Sequence, residues 1–213
     1  MLRMKWLPIP LGPLQTNCYI ISKGQSCLII DPGEEGNKLI SMINNSKLKP
    51  QAILLTHAHF DHIGAVDTVR DHFSIPVYIH KKEANWLLDP DLNGSNYFMI
   101  GSSITIKKAD YFFEREGKMT IGDFEVGIFE TPGHTPGSVS FYFETLQLVA
   151  TGDALFKSGI GRTDLPGGNE QQLLESIHKK LLTLPEETLA LPGHGPITTI
   201  GDEMNSNPFL NGY

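Results

Sequence analysis

Apolar residues along the chain form short β-rich runs that alternate with segments of helical spacing. Residues 18–21 and 27–30 are two such runs, and the Lys-Gly-Gln sequence between them has the length and composition of a hairpin loop. A segment of helical spacing follows at 37–45, and residues 52–55 have the pattern of a short buried strand. The first quarter of the chain therefore predicts a β-α-β order.

The same alternation continues toward the middle of the chain. Its pattern predicts a helix from about 62 to 72, a strand at 77–79 and a further helical segment at 82–88. Residues 89–117 contain clusters of Asp, Asn, Gly and Ser, which indicate an extended connection without a clear helix or strand assignment.

Strand patterns return in the second half. We predict strands at 119–121, 124–131, 138–143 and 146–151. In the third of these, Val139, Phe141 and Phe143 alternate with Ser and Tyr, so one face of the strand should belong to a core. A helix is predicted at 171–182, and a last short strand at 189–191.

Composition and charge narrow the class of protein. The chain has 213 residues with 40% hydrophobic and 19% charged residues, which predicts a single globular domain over residues 1–213. Its net charge of −7, without a basic stripe, argues against nucleic acid as a partner. Prolines and a glycine interrupt residues 1–14, so we expect no signal peptide, no membrane association and a cytoplasmic location. Cys18 and Cys27 are expected to be reduced core residues.

The strongest chemical signal follows the predicted strand at 52–55. Three imidazoles and one carboxylate occur within six residues, at His57, His59, Asp61 and His62. Such a density of polar groups is difficult to explain by packing, because each buried polar atom needs a partner. Strand alternation would direct His57 and His59 to the same side, and the following helix would bring the other two beside them. Two neighbouring metal positions are expected.

Isolated His and Asp residues elsewhere strengthen this interpretation. His134, Asp153 and His194 each follow a glycine at the end of a predicted strand. Glycine allows the backbone to turn sharply and to approach a bound ion closely. A solvated histidine-rich loop, which would explain one His-x-His sequence, does not explain this recurrence.

Together these residues resemble the five ordered motifs of the metallo-β-lactamase superfamily. The resemblance runs through most of the chain, in the order Asp31, His57 to His62, His134, Asp153 and His194. It implies an α/β (α+β) fold, a four-layer αββα sandwich in which two mixed β-sheets face each other and helices lie outside.

The resemblance also implies a binuclear metal site and a hydrolytic activity. One ion would be bound by His57, His59 and His134, the second by Asp61, His62 and His194, and Asp153 would bridge them. Imidazole and carboxylate ligands suit two divalent ions, with zinc expected first and iron or manganese as alternatives. Such a pair would supply a bridging hydroxide as the nucleophile, with Asp61 or a nearby water managing protons.

Two further residues are candidates for the surroundings of the site. Asp31 would orient a ligating histidine, or it simply forms a turn before Pro32. Arg162 lies in the segment 156–164, which resembles the loop after the bridging Asp in the glyoxalase II and persulfide dioxygenase branches. It would bind a substrate carboxylate or, as we slightly favour, form an ion pair with Asp164.

The branch resemblance implies a small thiol-linked substrate, such as a thioester like S-lactoylglutathione. Only 19 residues follow His194, so the helical C-terminal domain of glyoxalase II that contacts glutathione is expected to be absent. The closest resemblance is therefore to short bacterial glyoxalase II-like proteins.

Three alternatives stay open at this point. The main one is a persulfide dioxygenase with a single iron, which Ile160 disfavours because that branch more often has cysteine there. A β-lactamase is disfavoured by His62, where those enzymes generally have another residue. A non-catalytic binding domain is disfavoured because none of the seven ligand positions has changed.

Overall fold

The computed structural model describes residues 4–98 and 102–210. Contacts between Cα atoms divide the chain into two compact units. The first comprises residues 1–114 and 120–124, and the second comprises residues 115–119 and 125–213. The prediction of a single domain is not tested by this division and stays a prediction.

The first unit contains a six-stranded mixed sheet with its strands in sequence order. The strands are β1 (Met4–Leu11), β2 (Thr16–Lys23), β3 (Ser26–Ile30), β4 (Lys49–Leu54), β5 (Val77–His80) and β6 (Tyr111–Phe113). Pairing is antiparallel from β1 to β3 and parallel from β3 to β6. The predicted hairpin and the predicted strands at 52–55 and 77–79 are confirmed.

Strand β1 was not expected, because Pro8 and Pro10 interrupt its sequence. It lies at the edge of the sheet and pairs only with β2 among the described strands. An edge strand tolerates proline because its outer N–H groups need no ladder partner. More exposed and less exposed residues alternate along it, as expected for a strand with one buried face.

Helices of the first unit agree with the sequence in part. They are α1 (Gly36–Asn45), α2 (Phe60–Ile63), α3 (Val66–Phe73) and α4 (Ser95–Phe98). The prediction of a single helix at 62–72 is wrong, because the helical structure is interrupted between α2 and α3. A Cβ at Gly64 would lie 2.4 Å from the Gly33 carbonyl oxygen, and Ala65 donates its N–H to the Pro32 carbonyl. This close approach to the 32–33 loop interrupts the helix.

The middle of the chain is more ordered than its sequence suggested. The helical segment predicted at 82–88 forms two short 3₁₀ turns, Lys81–Glu83 and Trp86–Leu88. The extended connection predicted over 89–117 contains α4 and β6, and residues 99–101 of it lie outside the described part. Side-chain hydrogen bonds of Asn93 and Ser95 hold this region in place.

The second sheet is also mixed and six-stranded, and its strands belong to the second unit apart from residues 120–124. In spatial order it comprises β14 (Thr198–Thr199), β13 (Leu189–Pro192), β10 (Leu148–Gly152), β9 (Val139–Phe143), β8 (Phe124–Glu130) and β7 (Gly117–Ile121). A short hairpin, β11 (Leu155–Phe156) with β12 (Gly159–Ile160), follows β10. All five strands predicted from 119 to 191 are confirmed.

Two helices accompany the second sheet, α5 (Glu170–Ser176) and α6 (Ile200–Ser206). The helix predicted at 171–182 continues from α5 as a π-helical stretch, Ile177–Leu181. Leu173, Leu174 and Ile177 pack in the core of this unit. The Val139, Phe141 and Phe143 face is buried as predicted.

The fold class is confirmed as two mixed sheets flanked by helices. The first unit has an aliphatic core from its strands and helices α1 and α3, and the second has a smaller core around β10 and α5. In the described part of the chain, no helix has both the length and the apolar character needed to cross a bilayer.

Candidate metal centre

In the first unit, the histidine-rich motif begins after β4 and ends within α2, which contains Asp61 and His62. Strand β4 ends at Leu54 and α2 begins at Phe60, so His57 and His59 lie in the turn from strand to helix. Its polar side chains are nearly inaccessible, with exposed fractions of 1% for His57, 6% for His59, 8% for Asp61 and 0% for His62. Groups this polar are buried only when hydrogen bonds or metal ions compensate for lost water.

Asp31 connects two of these histidines. Its Oδ2 lies 2.9 Å from His62 Nδ1, and its Oδ1 accepts the Thr56 N–H at 2.8 Å. The Thr56 hydroxyl donates to Asp31 Oδ2 and lies 3.0 Å from His57 Nδ1. Asp31 therefore orients one imidazole directly and a second through Thr56. The alternative, a residue that only forms a turn, does not account for these bonds.

A threonine from a neighbouring strand orients Asp61. Thr16 Oγ1, on β2, donates to Asp61 Oδ2 at 2.7 Å, and both side chains are buried. His62 Nε2 lies 3.6 Å from the same oxygen. One donor atom each from Asp31, His57 and His62 lies within 4.8 Å of the others, so the cluster is compact.

A fully buried carboxylate supports the backbone between the first two histidines. Glu83, at 0% exposure, accepts the Ala58 N–H through Oε2 at 2.7 Å. Sequence reasoning missed both Glu83 and Thr16. No local motif marks either residue, because each reaches the site only through the pairing of distant segments.

In the second unit, His134, Asp153 and His194 lie together. His134 follows β8, Asp153 follows β10, and His194 follows β13. Asp153 Oδ2 lies 3.7 Å from His134 Nε2 and 3.6 Å from His194 Nε2. The carboxylate is therefore flanked by the Nε2 atoms of two imidazoles.

The segment after Asp153 fixes the orientation of His134. The Arg162 carbonyl oxygen lies 2.7 Å from His134 Nδ1, a bond that places the proton on Nδ1 and leaves Nε2 as the ligand atom. Gly161 crosses directly over the Asp153 backbone, since a Cβ there would lie 1.8 Å from the Asp153 carbonyl oxygen. Only glycine fits this approach.

The Arg162 side chain forms an ion pair on the surface. Nε and Nη2 donate to the two carboxylate oxygens of Asp164 at 2.7 and 2.8 Å, and the Arg162 side chain is 52% exposed. The hydrogen bonds from Arg162 lower the pKa of Asp164 to about 2. The ion pair that we favoured for Arg162 is thus present.

The donor set fits divalent metal ions in each unit. In each unit, an oxygen atom accepts a hydrogen bond from Nδ1 of one histidine, His62 in the first unit and His134 in the second. Nε2 of the same histidine lies 3.6 to 3.7 Å from a carboxylate oxygen. That separation is too long for a hydrogen bond, yet close to the roughly 3.3 Å between neighbouring ligands of a tetrahedral ion with bonds near 2.0–2.1 Å. Imidazole and carboxylate donors suit zinc, iron and manganese.

Comparison with known proteins agrees with this donor set. The family model of the metallo-beta-lactamase superfamily matches residues 11–194, the span from the end of β1 to the last histidine of the site. The chain belongs to this superfamily. A probable metallo-hydrolase of Bacillus subtilis is 55% identical over 99% of both chains. A hydroxyacylglutathione hydrolase of Haemophilus influenzae is 38% identical over 95% of this chain and 96% of its own.

Two solved structures are similar to this one. The BLEG-1 B3 metallo-beta-lactamase is 54% identical, with a TM-score of 0.95 over 98% of this chain and all of its own. TTHA1623, crystallised in a di-iron-bound form, is 41% identical with a TM-score of 0.86 over 96% of this chain and all of its own. The chain itself is a metallo-hydrolase with His and Asp groups for divalent metals.

Proposed function

We propose that the chain is a metal-dependent thioesterase that hydrolyses an acyl thioester of a small thiol, similar to S-lactoylglutathione. The observation that carries the hydrolytic part is the pair of oriented His and Asp clusters, whose Nδ1 atoms are held by Asp31 and by the Arg162 carbonyl. Similarity to a hydroxyacylglutathione hydrolase over nearly the whole chain supports the thioester part.

The proposed ligands are those that the motifs indicated. One divalent ion would be held by His57, His59 and His134, a second by Asp61, His62 and His194, and Asp153 would contact both. Zinc is the first expectation, and iron is supported by the di-iron-bound form of a 41% identical protein. When bound, the ions would supply Lewis acidity, which lowers the pKa of a water and polarises the thioester carbonyl.

The chain's own residues would manage protons and orientation. Asp61 is the proposed acceptor of a proton from the attacking water, and Thr16 fixes its carboxylate by donating to Oδ2. Asp153 would hold its position between His134 and His194 because Gly161 and the Arg162 carbonyl fix the surrounding backbone. No protein nucleophile is needed in this scheme.

Hydrolysis of S-lactoylglutathione by protein reconstituted separately with Zn, Mn and Fe tests the proposal. Loss of thioester absorbance is followed under air and under argon, for the wild type, Asp153→Ala and the control Asp164→Ala. We expect turnover that does not need oxygen, is lost in Asp153→Ala and is kept in Asp164→Ala, whose carboxylate is exposed. Absence of turnover with every metal would reject a glutathione thioester as substrate. Oxygen consumption with glutathione persulfide would indicate the iron dioxygenase instead.

Hydrolysis of a β-lactam is a second candidate function. It is favoured by the 54% identity to a protein described as a B3 metallo-beta-lactamase. A chromogenic cephalosporin measured beside S-lactoylglutathione, with the same metal and variants, separates the two. The thioesterase proposal expects the larger kcat/KM for the thioester, and the reverse order would reject it.

The proposed enzyme acts on a small molecule in the cytoplasm, without nucleic acid or membrane as a partner. The net charge of −7 supports the first exclusion, because a phosphate backbone would repel an acidic surface. A filter-binding assay with single- and double-stranded DNA and RNA at low salt is expected to show no retention.

A further inference from the structure

Three exposed apolar side chains lie in one segment of the first unit. Leu88, Tyr97 and Phe98 are 42%, 63% and 48% exposed, and they lie within residues 88–98. Neighbouring exposed apolar groups on a soluble domain commonly mark a site of ligand contact. The segment begins at the second 3₁₀ turn and ends with α4, in the region that the sequence left without assignment.

This segment is attached directly to the histidine motif. Phe60, which stands between His59 and Asp61, donates its N–H to the Asn93 carbonyl at 3.0 Å. The Phe98 ring stacks on the Phe60 ring, with centroids 6.0 Å apart and planes inclined by 21°. Phe60 is 8% exposed, whereas Phe98 is about half exposed. Phe98 thus extends the buried aromatic packing of the motif to the surface.

A network of hydrogen bonds holds the segment that carries Phe98, whose own N–H donates to the Gly94 carbonyl at 3.2 Å. The buried Asn93 side chain donates from Nδ2 to the Trp86 and Ile104 carbonyls at 3.3 and 2.9 Å. Asn93 Oδ1 accepts the Ser95 N–H, and the Ser95 hydroxyl accepts the Ile104 N–H. An exposed ring on a segment held this firmly loses little conformational entropy on binding a ligand.

The second 3₁₀ turn, Trp86–Leu88, at which this segment begins, also contacts the motif, through Trp86. Its ring centroid lies 6.2 Å from that of His59, and Trp86 is 6% exposed. Two consecutive motif residues, His59 and Phe60, are therefore each packed against an aromatic ring of residues 86–98. Residues 86–98 therefore place two aromatic rings beside the histidine motif of the first unit.

We propose that Phe98 is a specificity-determining residue that contacts the acyl chain of the substrate. The inference rests on the proposed thioesterase function. In a thioester of a polar, charged thiol carrier the acyl chain is the apolar part, and a half-exposed phenyl ring stabilises apolar rather than charged groups. Phe98 selects among acyl chains by length, while Phe60 beneath it supports the ring.

Binding of non-hydrolysable thioethers tests this role without turnover. S-methylglutathione and S-hexylglutathione differ by five methylene groups, and partial contact of these with Phe98 predicts about tenfold tighter binding of the hexyl compound. Dissociation constants are measured by calorimetry on metal-loaded wild type, Phe98→Ala, Phe98→Leu and the control Phe209→Ala. Phe209 is 54% exposed and belongs to the second unit.

We expect the wild type and Phe209→Ala to favour the hexyl compound, Phe98→Ala to lose the preference and Phe98→Leu to keep part of it. Equal preference in Phe98→Ala and Phe209→Ala, or no preference in the wild type, would overturn the role of Phe98. The proposed function fails separately, if the wild type hydrolyses no thioester with any metal while the preference in binding is present.

Discussion

His62 Nδ1 lies 2.9 Å from Asp31 Oδ2, and both side chains are almost completely buried. The two residues are distant in the chain, and the parallel pairing of β3 with β4 brings their segments together. Asp31 has φ of 49°, an unusual backbone conformation for a residue with a side chain. The carboxylate bonds that this conformation permits offset the strain, so Asp31 is a positioning residue for the imidazole.

Replacing Asp31 by Asn should weaken metal binding more than folding. The amide occupies nearly the same volume, but it has one acceptor oxygen where the carboxylate uses two for Thr56 and His62. Loss of such an outer partner of a ligand reduces metal affinity by about 10- to 100-fold. Competition with a chromophoric chelator measures the affinity. Unchanged affinity in a folded Asp31→Asn protein would contradict the orienting role.

The sequence alone indicated the fold class and the residues that we propose as metal ligands. His57 to His62 could be found because their spacing is local, and His134, Asp153 and His194 because each follows a glycine at a strand end. The resemblance then supplied the sheet arrangement, which neither periodicity nor composition could give.

Residues that support the site were not predictable in the same way. Thr16 and Glu83 act through single hydrogen bonds to Asp61 and to the Ala58 N–H, and these bonds depend on contacts between distant segments. Phe98 has no periodic pattern around it because α4 is only four residues long. Side-chain bonds to the backbone, rather than helical spacing, determine the conformation of that segment.

Gly161→Ala should disturb the metal site through its backbone. The added methyl group would lie 1.8 Å from the Asp153 carbonyl oxygen, so the chain must shift at Asp153 or at Gly161. We expect destabilisation of about 1–3 kcal/mol, measured by urea unfolding, together with reduced metal content. Gly159→Ala is the matched control, because its methyl group would meet only ordinary contacts near 3.7 Å from Phe156. Similar losses in both variants would contradict this explanation.

Cys18 and Cys27 should be unreactive in the folded protein. Both side chains are 0% exposed. Burial raises the pKa of the Cys27 thiol to about 12, and burial with the nearby Asp31 charge raises the pKa of Cys18. The thiolate is the reactive form, so iodoacetamide should label the native protein at pH 8 at least about 100-fold more slowly than the protein in urea.

The same shift predicts how stability depends on alkaline pH. The folded-state pKa of Cys27 is above its ordinary value of 9.0. The contribution of the protonated thiol to the stability of the folded protein is therefore fully present below pH 9.0 and is lost as the pH rises toward about 12.

The reactivity of both thiols with iodoacetamide is measured by mass spectrometry of the labelled protein. Rapid labelling of the native protein, together with loss of hydrolysis, would instead place a thiol in the site.

Arg162→Ala should leave substrate affinity nearly unchanged. Its Nε and Nη2 are engaged with Asp164, and its carbonyl, which accepts from His134, is retained in the variant. The ion pair is exposed to solvent, so its loss should change stability little. Because the pKa of Asp164 is lowered to about 2, the ion pair stays charged until the pH falls toward that value.

Asp164→Ala is the control that removes the ion pair but keeps the guanidinium of Arg162. Equal KM in both variants is expected, whereas a KM raised only in Arg162→Ala would show that the guanidinium binds the substrate.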